Sequence, residues 1–331
     1  MHCIHGVPVI PSESGMREKI KIGISSCLLG EKVRYDGGHK LDPFLKDTFG
    51  RYVEWMPVCP EVESGLSVPR EAMHLIGDPG SPRLVTIDSR IDHTNSLLRW
   101  LKRAMSDPDR AGLCGHVFKA RSPSCGLSGV MMYSPLGTLL GTGPGIYAKM
   151  FVERFPALPV AEEGSLYNPA IRENFIERVF VFKRWLEYLH GDGSSGGLAS
   201  FHASNKMFIL AHSPMHYTIL GKMVADTRRC KRDALQSKYI RTLMEGLGLV
   251  ATVKKNTNVL QHIAGYFKDL LSPGERQELR KIIGDYHDGR VPLAVPLTLI
   301  RHYVWKYDVD YLKNQCYVNL NPVELMLRNH A

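Results

Sequence analysis

The chain has 331 residues, 44% hydrophobic and 23% charged, the composition of an ordinary globular protein with room for two cores. No run of about 18 apolar residues occurs, which argues against a membrane span, and the opening M-H-C-I-H-G-V-P-V-I-P-S lacks the layout of a signal peptide. The net charge of +9 is uneven: the first 165 residues carry 19 basic and 18 acidic side chains, the last 166 carry 23 and 15.

A basic excess of this kind, including the R-R-C-K-R run at 228–232, fits an anionic partner such as RNA or a nucleotide, and equally a solvated face without a partner. Seven scattered cysteines are an odd number in a chain without export signals. Reduced thiols and a cytoplasmic location are therefore expected, not a disulfide framework.

Residues 1–17 read as a flexible extension, with Met16 the expected start. From residue 18 short β-like runs alternate with turns and helical stretches. Predicted strands over 21–25, 52–58 and 114–118 each run into a loop that carries a cysteine. These are Cys27 in S-S-C-L-L-G, Cys59 in V-C-P-E-V-E-S-G and Cys125 in K-A-R-S-P-S-C-G. Apolar spacing predicts a helix over 96–106, ending before Asp107-Pro108. A strand pair over 130–134 and 138–140 follows, then a helix over 147–155. The alternation predicts an α/β domain over 18–165 with a partly parallel sheet.

Asn168 and Pro169 read as the N-cap and first turn of a helix to about His190, with Phe175, Val179, Phe182, Trp185, Leu186 and Leu189 on its apolar face. The Gly/Ser-rich stretch 191–197 reads as a linker, which makes 166–198 a connecting segment. Helical segments are predicted over 204–226, 232–246, 253–271, 273–286, 296–307 and 322–329, so that 199–331 forms an all-α domain.

Strand ends of an open α/β sheet converge on one crevice, so Cys27, Cys59 and Cys125 can meet although they are distant in the chain. Three soft ligands suggest a metal centre with a position left open. A structural zinc site draws on closely spaced ligand pairs, whereas these cysteines are 32 and 66 residues apart. His39 or His116 would serve as a fourth ligand, although a lone histidine is more often structural. Thiol–disulfide exchange wants a C-x-x-C pair or a resolving thiol. A three-thiolate iron–sulfur cluster fits the pattern better. Glu61 stands two residues from Cys59, and Ser122 and Ser124 precede Cys125, which suits general acid–base work. The plainer alternatives are a surface carboxylate and turn-capping hydroxyls. Cys114, Cys230 and Cys316 read as small buried hydrophobes, and Cys3 as part of the tail.

The segments I-S-S-C-L-L-G-E-K-V-R-Y-D-G-G-H-K, P-V-C-P-E-V-E-S-G-L-S-V-P-R, K-A-R-S-P-S-C-G and G-T-G-P-G-I-Y-A, in this order, resemble the TudS-type thiouracil desulfidases over about residues 18–160. The resemblance implies a 4Fe-4S cluster held by Cys27, Cys59 and Cys125, with its fourth iron open to substrate sulfur. It implies non-redox conversion of 4-thiouracil or 4-thio-UMP to uracil or UMP and sulfide, with Glu61 and Ser122 as catalytic residues. Glu63 in the same loop competes with Glu61 for that role. A nucleotide substrate needs a phosphate site, for which Lys119 and Arg121 rank first and Arg34 and Arg70 follow. The backbone at Gly143 and Gly145, ahead of a predicted helix, is a further candidate. That loop lacks the lysine and hydroxyl of a P-loop, so ATP use is not implied.

The second half resembles the helical YbgA-type domain in H-S-P-M-H-Y, N-V-L-Q-H-I-A-G-Y-F-K and I-R-H-Y. His212, Tyr217, Asn258, His262, Tyr266 and Lys268 are candidates for a groove, or for a packed polar interface. RNA contact through this basic half is the partner expectation beside a small thiolated pyrimidine. Two other functions compete: sulfur insertion into tRNA nucleosides, for which no ATP-activating motif is present, and a non-catalytic iron–sulfur sensor.

Overall fold

The computed structural model describes residues 19–107, 110, 112–226, 231–319 and 324. The N-terminal extension, Cys3, Cys230, most of the 228–232 basic run and all of the predicted helix over 322–329 except Glu324 lie outside the described residues. The architecture is an α/β region followed by a helical region, as the sequence pattern predicts.

Sheet A is parallel throughout, with strand order β2-β1-β5-β8. It comprises β1 (Ile20–Ser25), β2 (Val53–Val58), β5 (Gly115–Phe118) and β8 (Val160–Glu162). Sheet B is mixed and comprises β3 (Met73–Ile76), β4 (Arg83–Thr86), β6 (Val130–Tyr133) and β7 (Leu139–Gly143), in the order β4-β3-β6-β7. The β3–β6 pair is parallel, and the β3–β4 and β6–β7 pairs are antiparallel.

Among the described residues, this region also holds the α-helices α1 (Pro60–Glu63), α2 (Thr94–Ala104) and α3 (Ile146–Arg154). Sheet A is covered on both faces, as parallel strands require. Ile22, Ile24 and Val117 pack on one side with Phe175 and Val179. Phe118 packs on the other side with Leu97 and Trp100 of α2, Tyr147 and Phe151 of α3, and Leu75 and Val130 of sheet B. Gly23 is dictated by this second face, since a Cβ there would meet the His116 ring at 2.5 Å.

Asn168 caps α4 (Pro169–His190), its Oδ1 accepting from Ala170 N and Ile171 N. This helix belongs to two cores. Phe175, Ile176, Val179 and Phe180 pack on sheet A, whereas Val181, Trp185 and Tyr188 join the helical core. Leu189, assigned to the apolar face by its spacing, is 38% exposed.

Among the described residues, the α-helices that follow are α5 (Ser195–His212), α6 (Pro214–Ala225), α7 (Arg232–Leu247), α8 (Val253–Gly265), α9 (Pro273–His287), α10 (Ala294–Lys306) and α11 (Asp310–Lys313). The structure departs from the sequence pattern at two places. The Gly/Ser stretch is a tight turn: Ser194 caps α5 by accepting from Gly197 N, and Gln236 Nε2 donates to Gly193 O at 2.8 Å. The expected helix over 204–226 is broken at Ser213, which is extended because it precedes Pro214.

Candidate active site

The C-terminal ends of β2, β1 and β5 are adjacent in sheet A, with β1 central. The chain leaves β1 toward β2 and later returns to its other side as β5, the topological switch at which open parallel sheets bind ligands. A crevice of about 440 Å³ lies there, lined by Cys27, Cys59 and Cys125 together.

Each cysteine is fixed by its own backbone. Cys27 sits in the 3-10 turn Ser26–Leu29, and its carbonyl accepts from Gly30 N at 3.3 Å and Lys40 N at 2.9 Å. Gly30 has φ 94°, a conformation a β-carbon would strain. Cys59 is the N-cap of α1, with Pro60 in the first turn. Cys125 ends a turn in which Ser122 Oγ accepts from Ser124 N at 3.3 Å and Cys125 N at 3.1 Å. Arg121 begins that turn at φ 58°.

The three thiols act on one another electrostatically. Burial, with Cys59 adding to it, pushes Cys27 up to about 11. Burial also raises Cys59 and Cys125, and Glu61 adds to both. The Ser25 hydroxyl works the other way on Cys125 by hydrogen-bonding its thiol. Three such sulfurs ionise together only beside a compensating positive centre. Among the described residues, no three or more His, Cys, Asp or Glu side chains are grouped to hold a single metal ion.

Glu61 faces this crevice. Its Oε1 accepts from Ser124 Oγ at 2.8 Å, and its Oε2 accepts from Arg70 Nε at 3.1 Å and from Arg70 Nη2. Glu63 turns the other way. Its Oε1 accepts from Cys59 N at 3.0 Å, and its Oε2 lies 3.9 Å from Arg110 Nη2. The two carboxylates of this loop are therefore told apart by direction.

The cations of the crevice divide in the same manner. Lys119 Nζ is tied to Glu163 and donates to Ala120 O at 3.0 Å. Arg34 Nε lies 3.4 Å from Asp36. Arg121 and Lys40 are exposed on the rim, and Lys40 escaped the sequence reading because it lies 13 residues beyond Cys27.

Gly143 and Gly145 do not line the crevice. A Cβ on Gly145 would stand 2.6 Å from the Ser124 carbonyl. The amides at the start of α3 are already used, Gly145 N on Gly126 O at 2.7 Å and Ile146 N on Pro123 O at 3.2 Å. Gly145 lets α3 grip the Cys125 loop, and its amide is not free for a phosphate.

Neither candidate histidine faces the thiols. His39 Nδ1 accepts from Leu41 N on the surface. His116 is fully buried, 2.9 Å from Tyr147 Oη and stacked on Phe118. In the helical half, His212 is 1% exposed and lies 3.2 Å from Glu177, apart from the exposed Asn258, His262 and Tyr266. Tyr266 contacts His262 edge-on and stacks on Tyr311.

Residues 22–163 match the family model of 2-thiouracil desulfurase, and residues 206–322 match that of DUF1722, a family of unknown function. The uncharacterized protein YbgA of Escherichia coli (strain K12) is 36% identical over 135 residues, 40% of this chain and 80% of that protein. The uncharacterized protein YbbK of Bacillus subtilis (strain 168) is 28% identical over 133 residues, 38% of this chain and 86% of its own length. The solved structure of a 4Fe-4S-dependent thiouracil desulfidase, TudS, aligns with a TM-score of 0.36 and 31% identity, covering 46% of this chain and 94% of that one. This chain thus belongs to the YbgA family and carries, ahead of its DUF1722 domain, a domain of the 2-thiouracil desulfurase family.

Proposed function

We propose that the chain removes sulfur from a thiolated pyrimidine, 4-thiouracil or 4-thio-UMP, giving uracil or UMP and hydrogen sulfide without net redox change. The observation that carries this reading is the meeting of Cys27, Cys59 and Cys125 with the inward-facing Glu61 in one crevice of a 2-thiouracil desulfurase domain. The three thiolates would hold a 4Fe-4S cluster, which supplies a soft Lewis-acidic iron to polarise the thiocarbonyl.

The protein groups supply the rest. Two carboxylate oxygens offer about four acceptor positions. Ser124 and the two Arg70 contacts take three of them. One remains for a water or for the pyrimidine N–H. Glu61, aimed by its contact with Arg70, takes a proton from the water that attacks C4 and returns it to the departing sulfide. Ser122 Oγ already accepts from two amides, which leaves its hydrogen to donate into the crevice and orient the ring. Arg121 and Lys40 face the rim where a 5′-phosphate would emerge, with Arg34 beside them.

The test is anaerobic reconstitution followed by iron and sulfide analysis. The chain is then offered 4-thiouracil, 4-thiouridine, 4-thio-UMP and RNA that contains 4-thiouridine, all without ATP. Loss of thione absorbance matched by sulfide release supports the reading, and the fastest arm identifies the natural carrier of the base. A requirement for ATP and a sulfur donor would indicate insertion instead. An iron-loaded chain inert toward every arm overturns the enzyme.

A further inference from the structure

Arg70 has five N–H donors and all five are used. Nε and Nη2 donate to Glu61 Oε2, the first at 3.1 Å. Nη1 and Nη2 each donate to Val33 O at 3.0 Å, and Nη1 also reaches Ser67 O at 3.2 Å. The side chain is only 8% exposed. Val33 belongs to the loop that follows Cys27, and Cys59 Sγ lies 3.9 Å from the same Val33 carbonyl. One guanidinium therefore spans the Cys27 loop, the Cys59 turn and the 67–70 segment.

We propose that Arg70 is the positioning residue of the crevice. It fixes the angle of the Glu61 carboxylate and straps the Cys27 loop to the Cys59 loop, and no donor is left over for a substrate phosphate. Only a planar fork meets Glu61 and two carbonyls at once. Lysine gathers its three donors on one nitrogen and lacks the breadth of that fork, whose contacts are spread over Nε, Nη1 and Nη2. The Glu61 half of the inference rests on the desulfidase reading, whereas the strap half stands without it.

Two readouts test Arg70→Ala and Arg70→Lys. In the iron-free chain, the rate at which iodoacetamide alkylates Cys59 is followed by mass spectrometry. About a tenfold acceleration in Arg70→Ala, with Arg70→Lys intermediate, is expected once the strap is cut. An unchanged rate overturns the strap. In the iron-loaded chain, kcat per cluster in Arg70→Ala falls about 10²-fold with KM changed less than about threefold, because the base is misaimed and the substrate still binds. Added guanidinium restores about tenfold of that loss. A rise in KM confined to 4-thio-UMP and absent with 4-thiouracil would overturn positioning in favour of phosphate binding. Should Arg70→Ala fail to fold, Arg70→Ala with Glu61→Gln leaves no unpaired buried charge and carries the same alkylation comparison. A wild-type chain without turnover sinks the desulfidase reading alone, and the alkylation rates still decide the strap.

Discussion

Ser124 Oγ donates to Glu61 Oε1 at 2.8 Å, coupling the loop that carries Cys125 to the turn that carries Cys59. Ser124 is fully buried, whereas Ser122, two residues earlier, lines the crevice. The two hydroxyls thus have separate jobs. Glu61→Gln should cost about 10²- to 10⁴-fold in turnover at unchanged iron content, and Glu63→Gln about threefold or less. Ser124→Ala removes one donor to the carboxylate and should cost about tenfold in kcat. Ser122→Ala should also cost about 1 kcal/mol of stability, because two backbone amides lose their acceptor. Initial rates per cluster and thermal melts of the four variants check this set. Equal losses from Glu61→Gln and Glu63→Gln would contradict the assignment.

The proposed phosphate contacts are the rim cations and not Lys119, whose Nζ is tied to Glu163. Arg121→Gln and Lys40→Gln should each raise KM for 4-thio-UMP about tenfold, the loss of one charge-assisted contact. KM for 4-thiouracil should stay level. Lys119→Gln leaves Glu163 without its ion pair, so its main effect should be a lowered melting temperature. Parallel KM measurements on the two substrates separate these outcomes.

Gly145→Ala distinguishes packing from anion binding at the start of α3. The new methyl would collide with the Ser124 and Pro123 carbonyls, a contact between two backbones with little room to yield. Destabilisation of about 2 kcal/mol or more and a shift of the Cys125 loop are expected, seen as a lower melting temperature and faster iron loss. A variant of normal stability with only a raised KM for 4-thio-UMP would restore the phosphate role.

Two buried histidines set a limit on acid stability. Burial holds His116 down to about 3 and His202 to about 4. Both stay neutral in the folded chain and bind protons in the unfolded chain below about pH 6.5. The unfolded state therefore binds more protons in that window, so stability falls as pH drops from about 6.5 and levels off near 4 for His202 and 3 for His116. Each histidine contributes a slope of about 1.4 kcal/mol per pH unit. Denaturant titrations at pH 7 and pH 5 should show a smaller pH-dependent loss for His116→Gln than for wild type.

Much of the fold could be read from local pattern. Asn168-Pro169 places the start of α4 because a capping side chain and a fixed φ act within one turn. The antiparallel pair 130–134 and 138–140 follows from its turn residues, and the structure extends its second strand to Gly143. The Gly/Ser stretch misled because composition alone cannot show that Ser194 would cap a helix or that Gln236 would hold the turn. The missed break at Ser213 was legible in the proline that follows it.

At the site, the sequence by itself determined that three cysteines stand at the ends of three strands, each with carboxylates or hydroxyls at short range. Such features depend only on neighbours in the chain. The tertiary structure decided which of these groups share a crevice. It turned Glu61 inward and Glu63 outward, engaged Arg70 and Lys119, freed Arg121 and Lys40, and placed Gly145 beneath the Cys125 loop. Direction and partnership arise from parallel strands paired in the order β2-β1-β5 across gaps of tens of residues, and no local spacing encodes that order.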